Sequence, residues 1–282
     1  MHSMTKTHAS DGRISHLLPH GSARVTLLNA LGELAYLQDE PVPTTSLTQV
    51  LGEVGHGGHA ARQAVSRCAR AGWITGHREG RTSRWSLTDA GRDLVEDGIR
   101  RVEELGVEFS EWDGRWFVLV ISIPQERRSI RDRLYRTLQW EGFGSPIPGI
   151  WVTPHCDRYE RIAAAVDRLD LGGSTVSFFG AANGIGLSDS DLVGRSWDLG
   201  AVAQTYADLV RRFSDVEPRT DADALRTLLA LDEHLRWLPG ADPCLPEALT
   251  PSWPGRRDAA RLLKLRNEWL KPARRHWQGM LS

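Results

Sequence analysis

The sequence has little cysteine, little lysine and no long apolar run. Its three cysteines, Cys68, Cys156 and Cys244, are odd in number and far apart, which excludes a disulfide framework and a CxxC metal knuckle and fits a reducing compartment. No stretch approaches the ~18 to 20 consecutive apolar residues of a membrane-spanning helix, and residues 1–21 lack the apolar segment of a signal peptide. These absences predict a cytoplasmic protein with no membrane association, no bound metal and no cofactor.

A large net charge of either sign is also missing. The 282 residues include 35 basic and 36 acidic side chains, for a formal net charge of −1, and 40% of the residues are apolar. This balance excludes a bulk polycation and an intrinsically disordered chain. At about 100 to 200 residues per domain, the length predicts two or three domains.

Positive charge is nevertheless concentrated in one stretch of the chain. Residues 56–84 contain six arginines against Glu79 alone, a local charge of +5. Such a footprint suits a polyanionic partner, although a solvated basic face carries the same charge. Charge alone leaves both interpretations open.

Three amphipathic helices are predicted in the same part of the chain, over residues 22–38, 45–54 and 59–71. The third helix has small apolar residues on one side, and its other side consists of Arg62, Gln63, Ser66, Arg67 and Arg70. Arginine binds guanine edges, glutamine binds adenine, and hydroxyls or further arginines bind phosphates. This polar side therefore suits insertion into the major groove of DNA.

A β-hairpin is predicted after these helices. Residues 73–78 and 84–87 are rich in strand-forming side chains and flank the turn sequence EGRTS. The tip of this hairpin then carries Arg78, Arg81 and Arg84. Two helices followed by a basic hairpin are typical of a winged helix-turn-helix.

The predicted winged helix-turn-helix domain covers residues 22–106 and follows a mobile tail over residues 1–21. Trp73 and Trp85 belong to its predicted strands. Because a small domain needs bulky side chains in its core, we expect both to be core residues rather than base-stacking groups.

The middle of the chain changes to a strand pattern. RWFVLVISIP, from Arg115 to Pro124, is a continuous apolar run typical of a buried central strand. An amphipathic helix, the strand GIWVT, a helix over residues 158–169 and the strand STVSFF follow. This alternation predicts a ferredoxin-like α/β sandwich over residues 113–186.

The last third, residues 190–282, is predicted to form a helical C-terminal domain, so the fold class is α+β and multidomain. Its loop is marked by four prolines, which forbid a continuous helix there: Pro243, Pro246, Pro251 and Pro254. Residues 251–282 carry a charge of +6. Their arginines are expected opposite Leu262, Leu265 and Trp269, as a solvated face rather than as a second DNA contact.

The chain resembles the PaaX family of bacterial transcriptional regulators over residues 22–275. Three separated motifs carry the resemblance: ARQAVSRCARAGWITGHREGRTSRWSLTDAG, RWFVLVISIPQERRSIRDRLYRTLQWEGFGSPIPGIWVTPH and ADPCLPEALTPSWPGRRDA. The resemblance implies a homodimeric DNA-binding repressor with a middle domain similar to a small CRISPR-associated nuclease. It also implies release from operator DNA by an aryl-CoA thioester such as phenylacetyl-CoA.

Individual positions can be carried over from the family. Arg62 and Arg67 occupy its arginine sites in the recognition helix, and Gly80, Arg81 and Ser83 occupy its wing motif. The chain departs from the family by a longer tail before the first helix. It also has a cysteine in the recognition helix where leucine is usual, a change that is harmless for packing.

Three classes of function remain to be compared. The leading hypothesis is a transcriptional regulator, and the alternative is a metal-dependent nuclease built on the middle domain. That chemistry needs a metal-binding carboxylate at the end of the first strand, where this chain has Ser122 or Ile123, so we predict no enzyme activity. A third possibility is a module for partner assembly through the middle sheet edge and the tryptophan-rich helices.

An effector of the CoA type needs an apolar slot for its acyl end and cations for its phosphates. Trp151, on the GIWVT strand, together with Arg128 and Arg131, on the preceding helix, form the candidate effector site. The alternative is that both arginines pair with acidic residues of the middle segment.

Overall fold

A computed structural model describes residues 21–36, 40–80, 82–107 and 112–281. The predicted tail lies outside these residues, apart from Gly21. Ten helices are described: α1 (Ala23–Ala30), α2 (Thr44–Glu53), α3 (Gly58–Arg70), α4 (Asp89–Glu103), α5 (Arg128–Trp140), α6 (Tyr159–Arg168), α7 (Asp189–Ser196), α8 (Leu199–Phe213), α9 (Asp221–Leu235) and α10 (Pro254–Leu281). None of the described helices is long and apolar enough to cross a membrane.

Seven strands are described: β1 (Val42–Pro43), β2 (Ile74–Glu79), β3 (Thr82–Leu87), β4 (Trp116–Ile121), β5 (Gly144–Ile147), β6 (Ile150–Thr153) and β7 (Thr175–Gly180). They form two sheets, a three-stranded one and a four-stranded one. The chain is therefore a mixed α and β protein, as predicted.

The residues fall into two compact units. The first contains the described parts of residues 1–102, together with 216–236 and 264–281, and the second contains the described parts of residues 103–215, together with 237–263. The predicted helical segment contributes to both units, because α7 and α8 belong to the second and α9 belongs to the first.

The first unit packs helices against the small sheet. Helix α1 continues into a π-helical turn over Leu31–Ala35, and the sheet has the antiparallel order β1-β3-β2. Its core is formed by apolar residues from every helix and from the segment before β2, among them Val25, Leu28, Leu34, Leu47, Leu51, Ala64, Val65, Trp73, Leu94, Leu228 and Trp277.

One arginine of α10 lies inside this core. Arg266 is 4% exposed and bonds to Glu33 and Asp232. The prediction of a solvated face is therefore wrong for Arg266. Its spacing of four residues after Leu262 and three before Trp269 places it on the buried side of the helix.

The second unit contains a β-α-β-β-α-β arrangement. Strands β4, β5, β6 and β7, with α5 and α6, form a sheet of order β5-β6-β4-β7 in which every neighbouring pair is antiparallel. This is the topology of the ferredoxin-like fold. As predicted, β4 is central, and Phe117, Leu119 and Ile121 point into the core with α5 and α6.

Strand β5 was absent from the sequence-based prediction. Its residues, GSPI, have low strand propensity, and Pro146 cannot donate to a neighbouring strand. The strand exists because it pairs with β6 at the sheet edge, with an irregularity between Gly144 and Ile147. Tertiary pairing decides its conformation.

Candidate nucleic-acid interface

Helix α3 is sharply divided into a buried and an exposed side. Ala61, Ala64, Val65 and Cys68 are buried, and the residues on the other side are all exposed: Arg62, Gln63, Ser66, Arg67 and Arg70. We call these five residues the polar face of α3. Burial raises the pKa of the Cys68 thiol to about 11, so this cysteine is a neutral core residue.

Two neighbouring helices fix the position of α3. Gly55, with φ of +90°, makes the turn after α2, a backbone conformation that suits glycine. The hydroxyl of Thr26 in α1 lies 2.8 Å from His56 Nε2 in the same turn. Because α1 and α2 both pack on the apolar side of α3, the polar face points outward.

The β2–β3 hairpin belongs to the three-stranded sheet of the first unit. Arg78 pairs with Ser83 across the strands, and both side chains are exposed. Gly80 supplies a positive φ of +58° at the tip, a conformation that suits glycine. Arg81 lies outside the described residues, so its predicted placement at the tip is not described.

Arg84 is held by contacts within the first unit. Its Nε lies 2.7 Å from Glu79 Oε2, and its Nη1 donates to the carbonyl of Pro41 at 3.0 Å. In the sequence, Glu79 is recognisable only as the single acid of an arginine-rich segment. The hairpin register could have revealed the pair, because Arg84 lies opposite His77 and Glu79 is the diagonal neighbour on the same face.

The hairpin is tied to the start of α2. Trp85 Nε1 donates to Thr44 Oγ1 at 2.8 Å, and the Thr44 hydroxyl donates to the carbonyl of Ser83 at 2.8 Å. Helix α2 begins after Pro43 and has no side-chain cap. The Thr44 hydroxyl orients the hairpin instead.

The core beneath the hairpin is built on Trp73. This residue is fully buried, and the Arg24 guanidinium stacks over its ring at 4.1 Å. Trp85 is half-buried and uses its indole for the bond to Thr44. The expectation of a core role is met by Trp73, and Trp85 has a positioning role as well.

The exposed arginines of α3 and of the β2–β3 hairpin make this surface positively charged. Among the residues that the structure describes, Arg62, Arg67, Arg70 and Arg78 form no ion pair with a carboxylate. Helix α3 itself contains no acidic residue. Four arginines on one helix and the adjacent hairpin thus present positive charge that no described acid neutralises.

Comparisons with known proteins identify the family of this chain. Residues 22–91 match the family model "PaaX-like protein", residues 110–193 match "PaaX protein central Cas2-like domain", and residues 197–279 match "PaaX-like protein C-terminal domain". The chain belongs to the PaaX family. These matches follow one another in order and together span most of the chain.

A curated member of the PaaX family gives the functional class. The "Transcriptional repressor PaaX" of Escherichia coli (strain K12) is 29% identical over 227 residues, which are 74% of this chain and 68% of that protein. A solved structure, the uncharacterized protein Rv0674 from Mycobacterium tuberculosis, has 21% identity and a TM-score of 0.58. The match covers 88% of this chain and 97% of the Rv0674 chain. It shows that the two proteins are alike in fold.

The residues predicted for an effector site lie in the second unit of this PaaX-family chain. Trp151 is 5% exposed, and its ring centroid is 4.7 Å from that of Tyr135. Arg128 and Arg131 lie 3.8 Å and 4.0 Å from carboxylate oxygens of Asp132. The cavity that Trp151 lines is lined by neither arginine. The structure therefore does not bring the three residues to one cavity.

In a nuclease of the Cas2 type, the metal-binding residue would stand directly after β4. Ser122 and Ile123 stand there, and neither side chain is a metal ligand of the kind that hard divalent cations prefer. Among the described residues, no group of three or more His, Cys, Asp or Glu side chains could hold a metal ion.

Proposed function

We propose that this PaaX-family transcriptional repressor binds operator DNA through a winged helix-turn-helix, with α3 as the recognition helix and the β2–β3 hairpin as the wing. The observation that carries the proposal is the polar face of α3, five exposed polar side chains with no acid among them. A helix that served only to pack the core would not need this face.

The residues of this surface are assigned to two kinds of DNA contact, one with base edges and one with phosphates. Arg62, Gln63 and Ser66 stand on the first turns of α3, the part of a recognition helix that reads base edges. Phosphate contacts are assigned to the remaining residues of the surface: Arg67, Arg70, Arg78, Arg81, Ser83 and Arg84. Because such contacts release counterions from DNA, the affinity falls steeply with salt concentration.

The proposal is tested by titrating fluorescent duplexes from the protein's own promoter at several salt concentrations. Arg67→Ala should weaken binding to every sequence and lower the salt slope by about one, whereas Gln63→Ala should change the preferred sequence. Arg136→Ala, at an exposed arginine of α5 in the second unit, is the matched control and should bind like the parent. Equal affinities in all variants would contradict the assignment.

The repressor is proposed to act as a homodimer, since a two-fold symmetric pair matches two half-sites on DNA. The support is a sheet edge that pairs with no further strand among the described residues. Strand β7 lies at the edge of the second unit's sheet and contains neither charge nor proline, with Val176 63% and Phe178 51% exposed. The other edge, β5, carries Pro146 and an irregular register.

Open edges of this kind pair with another strand. An uncharged strand is complementary to itself across a two-fold axis, so the proposed occupant is β7 of a second copy. Val176→Lys should convert the dimer to a monomer in light scattering at micromolar concentration. Ile147→Lys, on β5 and also exposed, should leave the dimer intact. A monomeric parent protein, or a dimeric Val176→Lys variant, would refute this interface.

Release from DNA is proposed to follow binding of an aryl-CoA thioester such as phenylacetyl-CoA. The support is the family to which the chain belongs and the cavity that Trp151 lines. Phenylacetyl-CoA should dissociate the protein–DNA complex in a gel-shift titration, and free phenylacetate should not. Release by both compounds, or by neither, would count against this effector.

A further inference from the structure

The first turn of α2 joins two elements that are far apart in the sequence. Helix α2 begins with Thr44, Thr45 and Ser46. The Thr44 hydroxyl donates to the carbonyl of Ser83 in the hairpin, whereas Ser46 Oγ donates to the carbonyl of Met280 at 2.7 Å. Met280 belongs to the last turn of α10 and lies 234 positions from Ser46 in the chain.

The bond between Ser46 and Met280 is buried within the first unit. Ser46 is 1% exposed and Met280 is 8% exposed, and both residues belong to this unit. The last carbonyl groups of a helix have no partner within that helix, so the Met280 carbonyl needs a donor from elsewhere, and the Ser46 hydroxyl supplies it. Removal of this hydroxyl leaves a buried acceptor unsatisfied, which is costly.

The end of α10 that accepts this bond is firmly held. Trp277 is fully buried in the core of the unit. Arg274 Nε donates to the carbonyl oxygen of Glu33 at 2.9 Å, and Arg275 donates to both oxygens of the Asp221 carboxylate at 2.8 and 2.6 Å. The last turns of α10 are therefore a fixed point of attachment for α2.

The other end of α2 is tied to α9 and α10 as well. Glu53 Oε2 accepts from Arg226 Nη1 of α9 at 2.6 Å, and His276 Nε2 of α10 lies 3.5 Å from Glu53 Oε1. Glu53 is the last residue of α2 and precedes the turn into α3. The Glu53 end of α2 thus adjoins the recognition helix, and the Ser46 end adjoins the hairpin.

The geometry of the helix places the first turn of α2 between the hairpin and the end of α10. Thr44 and Ser46 are two positions apart, which on an α-helix is a rotation of about 200°, so their side chains point to opposite sides. Thr44 accepts from Trp85 Nε1 and donates to the Ser83 carbonyl, each at 2.8 Å. A shift of this turn therefore moves the hairpin.

We infer that Ser46 is a positioning residue for DNA binding: its bond to the last turn of α10 fixes the wing where the arginines of the wing reach DNA phosphates. This inference rests on the proposed function, in which the β2–β3 hairpin is the wing. The end of α10 thereby takes part in DNA binding without touching DNA itself.

The first test is a salt titration of full-length Ser46→Ala with fluorescent duplexes from the protein's own promoter. This variant should bind every duplex about fivefold more weakly and lower the salt slope by about one, because a phosphate contact of the wing is lost. The order of preference among duplexes should stay that of the parent. A merely structural role would not give this pattern, since partial unfolding lowers the active fraction of the protein and leaves the salt slope unchanged.

Leu281→Pro breaks the same bond from the side of α10. A residue that precedes proline is disfavoured in the helical conformation, so the Met280 carbonyl turns away from Ser46. This variant should reproduce the change in salt slope, and the double variant should bind no more weakly than the weaker single variant, because both changes remove one interaction. Val102→Ala, at a buried position near the end of α4, destabilises the core of the same unit and should keep the affinity and salt slope of the parent.

Hydrogen exchange of the free protein separates this inference from the proposed function. The amides of β3 should exchange faster in Ser46→Ala than in the parent, whereas those of α4 should not. The inference is overturned if β3 exchange is unchanged, if Ser46→Ala keeps the affinity and salt slope of the parent, or if its preference among duplexes changes. If β3 exchange rises but the parent binds no duplex, the proposed function fails and only the attachment of the hairpin through Ser46 stands.

Discussion

Arg266 Nε donates a hydrogen bond to Asp232 Oδ1 at 3.0 Å in the core of the first unit. The same guanidinium bonds to Glu33, at the end of the first helical segment. One cation thus serves two buried acids from two different parts of the chain. Removing one partner of such a cluster costs more than the cluster contributes to stability, because charge is left buried without compensation.

We therefore expect Arg266→Met to lower the free energy of unfolding by about 3 to 5 kcal/mol. Urea unfolding followed by tryptophan fluorescence measures the loss. A triple variant that combines Arg266→Met with Glu33→Gln and Asp232→Asn also removes the two buried acids that have lost their cation. This variant should recover much of the lost free energy of unfolding. A loss below about 1 kcal/mol in the single variant would mean that the acids find other partners.

The same cluster predicts a pH dependence. Burial, together with the nearby charge of Glu33, outweighs the effect of the Arg266 guanidinium and raises the pKa of Asp232. The folded state then keeps a proton that the unfolded chain releases above pH ~4, so the free energy of unfolding falls as pH rises above about 4. Asp232→Asn should flatten this part of the profile in urea titrations at different pH values, and an unchanged slope would contradict the assignment.

Two glycines of α4 offer a matched pair for a packing test. A Cβ on Gly91 would lie 1.9 Å from the carbonyl oxygen of Trp73, whereas a Cβ on Gly98 would meet nothing within 4 Å. Gly91→Ala should therefore destabilise the protein by at least about 2 kcal/mol, because the backbone at Trp73 must move. Gly98→Ala should stabilise it by about 0.5 to 1 kcal/mol through helix propensity. Thermal unfolding of both variants measures the difference, and equal effects would show that α4 can shift freely.

Sequence patterns were sufficient where one side of an element is buried. The apolar spacing in α3 placed Ala61, Ala64, Val65 and Cys68 in the core, and the apolar run of β4 indicated its central place in the sheet. Burial drives both patterns, so they can be recognised in the sequence. The residues of the polar face of α3 followed from the same periodicity.

Patterns were insufficient where a distant contact decides the structure. Strand β5 forms only because β6 is beside it, and Thr44 turns its hydroxyl to the hairpin because Trp85 needs an acceptor. Arg266 follows the apolar spacing of α10, but its charge suggested the solvent side. The two acids that make its burial tolerable lie in other helical segments, and no local pattern indicates such partners.

The ion pair between Arg84 and Glu79 gives a last prediction, which rests on the proposed DNA-binding function. Glu79 is the one acid of the arginine-rich segment, and its carboxylate repels DNA phosphates while it holds Arg84. Glu79→Gln should therefore tighten binding to every duplex several-fold and steepen the dependence of log affinity on log salt by about one. Fluorescence anisotropy from low to physiological salt measures both quantities. Glu126→Gln, at an exposed acid of the second unit, should change neither. Weaker binding by Glu79→Gln would instead show that the ion pair is needed to hold Arg84 in position for its phosphate.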